Sequence, residues 1–254
     1  MTTIDRPYRE RVLRRSRMIN YLRELESNSN SNGGAVLKTI YVAPGSGEVP
    51  GWEWLPPAAG RSPNGLVLVG GPEARVAISP PFAVEIDDAD RIQEGPYFGP
   101  LIASLTERRT IGIILLRLGA YAVGVADDEK LIVSKTGTRY VKGRHRKGGQ
   151  SQRRFERNRE GWIAKLYDQV CAVATTRLGS YERDMHALAI GGDRHVVEGF
   201  MKRCGFADRL RNRVATIYVP VERPGLKSLE RAVTRAWGCH TWEAHTPRGT
   251  ANHA

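Results

Sequence analysis

The sequence predicts a mixed α/β fold of the α+β kind, in which a mixed β-sheet is flanked by helices. Three observations point there. Two apolar runs, residues 111–116 and 121–125, meet near Gly119 and have the continuity of buried strands. A long stretch from Ser151 to near Gly179 carries apolar residues at helical spacing. Short strand-like and helix-like segments then alternate, which excludes an all-α or all-β protein. With 254 residues, 41% of them hydrophobic, the chain can bury a sizeable core.

Taken in order, residues 7–26 read as a basic amphipathic helix. Val12, Ile19, Leu22 and Leu25 recur at helical spacing among Arg9, Arg11, Arg14, Arg15 and Arg17. Residues 27–34 are rich in Ser, Asn and Gly and read as a loop. Residues 35–42 read as a strand that ends at the turn signal Pro44-Gly45, and 45–63 as irregular. Residues 66–69 and 75–78 form a hairpin pattern around Gly70-Gly71-Pro72. Residues 97–107 suit a short helix, and 131–136 add a third strand to the central hairpin.

In the long helix Phe155, Trp162, Ile163, Leu166, Val170, Val173 and Ala174 make one apolar stripe. A strand over 187–190, a Gly191-Gly192 turn, a helix over 193–203, a strand over 214–219 and a helix over 226–237 complete the pattern. The expected organisation is therefore 1–63 as basic helix, strand and linker, 64–238 as the main domain, and 239–254 as a flexible tail.

The formal net charge is +12, which favours an anionic partner. No apolar run reaches the roughly 18 residues of a membrane span, and the start carries no apolar signal core. Asp5, Glu10, Glu24 and Glu26 argue against an organelle transit peptide. Three dispersed cysteines, Cys171, Cys204 and Cys239, suggest neither a disulfide framework nor a zinc site, and they fit a reducing cytoplasm.

The segment that carries chemistry is Lys142-Gly143-Arg144-His145-Arg146-Lys147-Gly148-Gly149-Gln150-Ser151-Gln152-Arg153-Arg154-Phe155. Adjacent glycines allow positive φ and leave no side chain in the way, so such a tip can enter a narrow cavity. Gln150 adds an amide side chain and a backbone donor. The cations on both sides, Arg144, His145, Arg146, Lys147, Arg153, Arg154 and Arg157, can neutralise phosphates. A basic collar behind a slim neutral tip suits insertion into RNA. The plainer reading of the same residues is a glycine-rich surface turn before a helix, with each arginine a solvated charge.

The segment resembles the catalytic loop and following helix of the eukaryotic and archaeal class I translation termination factors. There too a basic Gly-Gly-Gln-Ser stretch leads into a helix with an early Arg-Phe, here Gly148 to Ser151 and Arg154-Phe155. Residues 64–67, 113–124 and 187–192 resemble that family's middle domain more weakly. The resemblance implies a ribonuclease-H-like domain with a protruding loop. The sequence has no Asn-Ile-Lys-Ser codon motif and only about sixty residues precede the main domain. It is therefore most similar to the Vms-like (VLRF-type) release factors, in their compact bacterial, actinobacterial form.

What the resemblance implies is a stop-codon-independent peptidyl-tRNA hydrolase, acting as a cytoplasmic monomer on the large ribosomal subunit in ribosome rescue, without cofactor or metal. Gly148, Gly149 and Gln150 would be catalytic, with Ser151 joining the flanking cations on RNA. Two rival readings stand beside it: a non-catalytic ribosome or RNA binder, and a metal-dependent nuclease. The nuclease would use the acidic clusters Asp87, Asp88 and Asp90, and Asp127, Asp128 and Glu129, which read more simply as solvated loops. Gly191-Gly192-Asp193 reads as a capped strand-to-helix turn, and His240 and His245 belong to the expected tail.

Overall fold

A computed structural model describes residues 7–31, 37–71, 75–141, 150–215 and 218–244, with the side chains of 30, 31 and 150–155 left out of the description. The chain forms two compact units. One comprises Met1–Glu107 with Trp237–Ala254, and the other is the contiguous stretch Arg108–Ala236. In chain order the first unit contributes β1 (Tyr8–Leu13), α1 (Arg15–Ser31), β2 (Lys38–Val42), α2 (Pro57–Gly60), β3 (Leu66–Gly70), β4 (Arg75–Ser79), β5 (Ile92–Glu94) and α3 (Gly99–Thr106). The second contributes β6 (Thr110–Arg117), β7 (Ala120–Asp127), β8 (Lys130–Thr138), α4 (Gln150–Leu178), β9 (Met185–Gly192), α5 (Arg194–Arg203), α6 (Gly205–Arg209) and α7 (Leu226–Ala236). The chain then returns to the first unit as β10 (Cys239–Ala244).

The first unit is a six-stranded antiparallel sheet in the order β1-β10-β4-β3-β2-β5. The run Leu66-Val67-Leu68-Val69 is apolar on both faces because both are covered. Val67 and Val69 pack under Met18 and Leu22 of α1 and Leu101 and Leu105 of α3. Leu66 and Leu68 pack under Trp52 and Ala59 of the segment that follows β2.

Four sequence expectations change here. Residues 8–13 are a strand, not the start of a helix, because they pair with β10, more than two hundred residues away. Local periodicity carries no trace of such a partner. The helix that follows runs through the expected loop as far as Ser31. Residues 239–244 are a paired strand with Cys239 and Trp242 buried, not a flexible tail. Likewise the expected division before Asn64 falls inside the first unit, since β3 pairs with β2 on one side and β4 on the other.

The second unit has the expected mixed sheet with flanking helices. Its order is β8-β7-β6-β9, antiparallel except for the parallel pair β6–β9. Ile114, Leu116, Val123, Val125 and Ile190 face Leu166, Val170, Ala174 and Leu178 of α4 and Val197 and Phe200 of α5. The alternate residues face α7, which buries Leu229, Ala232, Val233 and Ala236. β9 ends at Gly192, where φ is +122° and any Cβ would lie 2.0 Å from the Leu116 carbonyl oxygen, so glycine alone fits. Asp193 then caps α5, its Oδ1 accepting from the amides of His195 at 3.1 Å and Val196 at 3.3 Å. Of the expected strand over 214–219, residues 216 and 217 lie outside the described residues, and Val214 and Val219 form parallel bridges with Leu188 and Gly191.

Cys171 of α4 and Cys204, between α5 and α6, form a disulfide. This departs from the sequence reading, in which the three cysteines suggest no disulfide framework. The two are 33 residues apart in sequence, and only the packing of α5 against α4 brings them together. Cys239 is free, and burial pushes its thiol up to about 12.

Reducing the Cys171–Cys204 bond, or replacing both residues by serine, should lower unfolding stability by about 2–4 kcal/mol, as expected for a loop of this size. Urea unfolding of oxidised and reduced protein measures it. Coincident curves, or a mass showing three free thiols in the oxidised sample, would contradict the bond.

Candidate nucleic-acid interface

β6, β8 and β9 all finish at one end of the second unit's sheet. The register sets Arg117 opposite Ala120, Ala120 opposite Thr138, and Leu116 opposite Gly192. At this end the chain leaves β8 for the basic segment and comes back as α4.

The helix is longer than the sheet it packs on. Its 29 residues span about 43 Å, against about 30 Å for β8. Its fully buried residues, Leu166, Val170, Ala174 and Leu178, all lie in the second half. Ahead of them Trp162 and Ile163 are half-buried, and Glu156, Arg157, Asn158 and Glu160 are exposed. The axial distance from Trp162 back to Gln150 is about 18 Å at roughly 1.5 Å per residue. Gln150, the first residue of α4, therefore stands on an overhang.

The stem below the overhang is braced. The Arg139 amide donates to the Gly119 carbonyl at 3.0 Å, which ties the end of β8 to the β6–β7 turn. The Arg139 guanidinium donates to Gln169 Oε1 of α4 at 2.8 Å, and Gln169 Nε2 donates to Tyr121 Oη of β7 at 3.1 Å. Tyr140 lies 6.4 Å from the Trp162 ring, and Val141 packs on the core beneath. Trp162 aside, none of these bracing residues stands out in the sequence. An aromatic between a strand and a basic run is the one available signal, and it points to Tyr140.

Charge is distributed unevenly. Arg108 with Asp127, Arg209 with Glu182 at 3.0 Å, and Arg211 with Asp208 pair near the opposite end, where Thr110 meets Asp127 and Met185. Hydrogen bonds from Arg108 and Arg209 hold the Asp127 and Glu182 carboxyls below their ordinary range, so these pairs stay ionised into mild acid. At the loop end Arg157, Arg223 and Lys227 are exposed and take part in no ion pair among the described residues. The first amides of α4 add the positive end of a helix dipole.

Of the sequence-derived site residues, Gln150, Ser151, Arg153 and Arg154 fall in the first two turns of α4, with side chains outside the description, and Arg157 is exposed one turn on. Arg144, His145, Arg146, Lys147, Gly148 and Gly149 lie outside the described residues. The acidic clusters are engaged in local contacts. Asp88 pairs with Arg91 at 2.5 Å, Asp90 accepts from Gln93, and Asp127 binds Arg108. Among the described residues no group of three or more His, Cys, Asp or Glu is placed to hold a metal. His240 sits in β10, 2.7 Å from Glu10 and stacked on Trp242.

Comparison with known proteins bears on this region. The family model for Actinobacteria/chloroflexi VLRF1 release factors matches residues 109–241. Peptide chain release factor subunit 1 of Archaeoglobus fulgidus is 31% identical over 157 residues, covering 61% of this chain and 38% of that protein. Its counterpart in Methanopyrus kandleri is 29% identical over 186 residues, covering 70% and 45%. The chain thus spans less than half the length of the curated relatives it matches. The crystal structure of the archaeal translation termination factor aRF1 aligns over 88% of this chain and 70% of that one, at 19% identity and a TM-score of 0.42.

Gly161 interrupts α4 where the overhang meets the packed half, and a Cβ there would touch nothing within 4 Å. No packing contact requires glycine at this position. Gly161→Ala should therefore stabilise the protein by about 0.5–1 kcal/mol. Chemical denaturation checks it, and a loss of stability would mean that α4 is not continuous through this residue.

Proposed function

The chain belongs to the Actinobacteria/chloroflexi VLRF1 release factor family, and from that premise we propose that it hydrolyses the ester bond of peptidyl-tRNA on the large ribosomal subunit without reading a stop codon. One observation carries the proposal. Gly148-Gly149-Gln150 immediately precedes and begins a long helix whose leading turns extend past the packed core. A tip carried this way reaches into a recess that the body of the protein cannot enter.

The substrate is the ester between a nascent peptide and the terminal ribose of tRNA. Gln150 has a neutral amide, a poor general base, so it is not the group that removes the proton from water. Its backbone N–H faces the carbonyl oxygen as negative charge develops there, and its side chain positions the attacking water. The tRNA ribose hydroxyl and ribosomal RNA provide the remaining polar groups. Catalysis of this kind works by positioning and by oriented dipoles. Gly148 and Gly149 keep the tip narrow. Arg144, His145, Arg146, Lys147, Ser151, Arg153, Arg154 and Arg157 hold RNA phosphates around it, and a single copy of the chain is sufficient.

Stalled large-subunit complexes carrying labelled peptidyl-tRNA test the proposal. Wild-type protein should release the peptide and leave the tRNA intact, and Gln150→Ala should slow release about 10²–10³-fold. Release by the variant at a rate near wild type would rule out Gln150 as the working residue. Cutting of the tRNA chain itself would favour a nuclease instead.

A further inference from the structure

At the base of the overhang the second unit exposes large apolar side chains that its own fold does not cover. Tyr140 is 75% exposed, Leu226 51% and Leu118 38%. They are joined by a short series of contacts. Tyr140 follows Arg139, whose amide is bonded to Gly119 beside Leu118. Arg117, on the other side of Leu118, donates through Nη1 to the Val221 and Glu222 carbonyls, both at 3.2 Å, which fixes the segment leading to Arg223, Leu226 and Lys227.

We propose that this end of the second unit is a docking platform for unpaired RNA nucleotides, in which the Tyr140 ring stacks on a base and Arg223 and Lys227 take the neighbouring phosphates. The ring is well mounted for that task. Its backbone is held through Arg139, by Gly119 and by Gln169 of α4, and among the described residues its ring contact is with Trp162 at 6.4 Å and 59°. A tilted neighbour at that distance supports the ring without covering it. Each base has a π-face, so an exposed aromatic beside cations binds unpaired nucleotides with little regard to sequence.

Charge decides between RNA and protein as the partner. Arg223 and Lys227 have no carboxylate partner among the described residues, and the chain running on from Tyr140 reads Val141-Lys142-Gly143-Arg144-His145-Arg146-Lys147. An apolar protein patch would gain nothing from so basic a surrounding sequence, whereas a phosphate backbone would. The inference rests on the proposed function only for its choice of the large subunit as the RNA.

The test is equilibrium co-sedimentation of the full chain with large subunits carrying peptidyl-tRNA, and with protein-free large-subunit RNA. Tyr140→Ala should weaken binding to both about 10-fold, with an unchanged thermal midpoint, since the ring is largely exposed. Tyr140→Phe and Tyr140→Trp should bind as wild type does. The double variant R223E/K227E should weaken binding and flatten its salt dependence by about two counterions.

Wild-type binding by Tyr140→Ala overturns the platform, as does a Phe variant as weak as the Ala variant. A loss seen on subunits but not on protein-free RNA also overturns it, by pointing to a protein partner. Gln150→Ala keeps the two proposals apart: it should bind normally and fail to release peptide. If wild type releases no peptide while binding still depends on Tyr140, the proposed function falls and the platform stands.

Discussion

The structure of the second unit depends on how little of α4 is buried. Leu166, Val170, Ala174 and Leu178 lie one turn apart and clamp the helix against β7 and β8. Four fully buried side chains of this size contribute several kcal/mol in all, taking roughly 1.5–3 kcal/mol for each large aliphatic. That is enough to fix the direction of a rigid rod. Nothing comparable among the described residues holds the turns before Trp162, so the rod's direction beyond the sheet is inherited from the clamp. The brace of Arg139, Gln169 and Tyr121 adds a second fixed point on the same helix, on its packed half. The clamp sets where the projecting helix aims, and the brace secures it from the β8 side.

Charge follows the same axis. Toward the far end Asp127, Glu182 and Asp208 pair with Arg108, Arg209 and Arg211, while the loop end keeps Arg157, Arg223 and Lys227 without such partners among the described residues. Exposed ion pairs of this kind contribute little stability. Their effect here is on the field. Pairing the acids Asp127, Glu182 and Asp208 where they stand leaves Arg157, Arg223 and Lys227 available to an approaching polyanion.

The parts legible in the sequence are those fixed by short-range patterns. The β6–β7 hairpin, the long helix and the Asp193 cap all follow from contacts close along the chain, and each is where the pattern places it. The parts that are not legible depend on distant partners. β1 looks helical because Val12 falls in phase with Ile19 and Leu22, yet its backbone hydrogen bonds go to β10. The expected tail becomes β10 for the same reason. Cys171 and Cys204 meet only because two helices pack. Gln169, one polar residue within a helical stripe, gives no hint that both ends of its amide are used. The candidate tip is read from composition and order, since Gly148-Gly149-Gln150 is distinctive as a string whatever its coordinates.

The chemistry proposed for that string requires an N-terminus that is exposed and a helix that is long. The leading amides of any helix have no partner within it. In a short, packed helix they are satisfied by caps, as Asp193 does for α5. A residue that must offer its own N–H to a developing oxyanion cannot have that donor committed to a cap. Glycines at the two positions before Gln150 supply no capping side chain, whereas an Asp or Ser at position 148 would compete for the Gln150 amide, two residues on, as Asp193 does for His195. The dipole of a long helix then favours negative charge at its leading end by about 0.3–1 kcal/mol, an effect strengthened where water is excluded. On this view the glycines matter as much for what they fail to cap as for the narrow shape they allow.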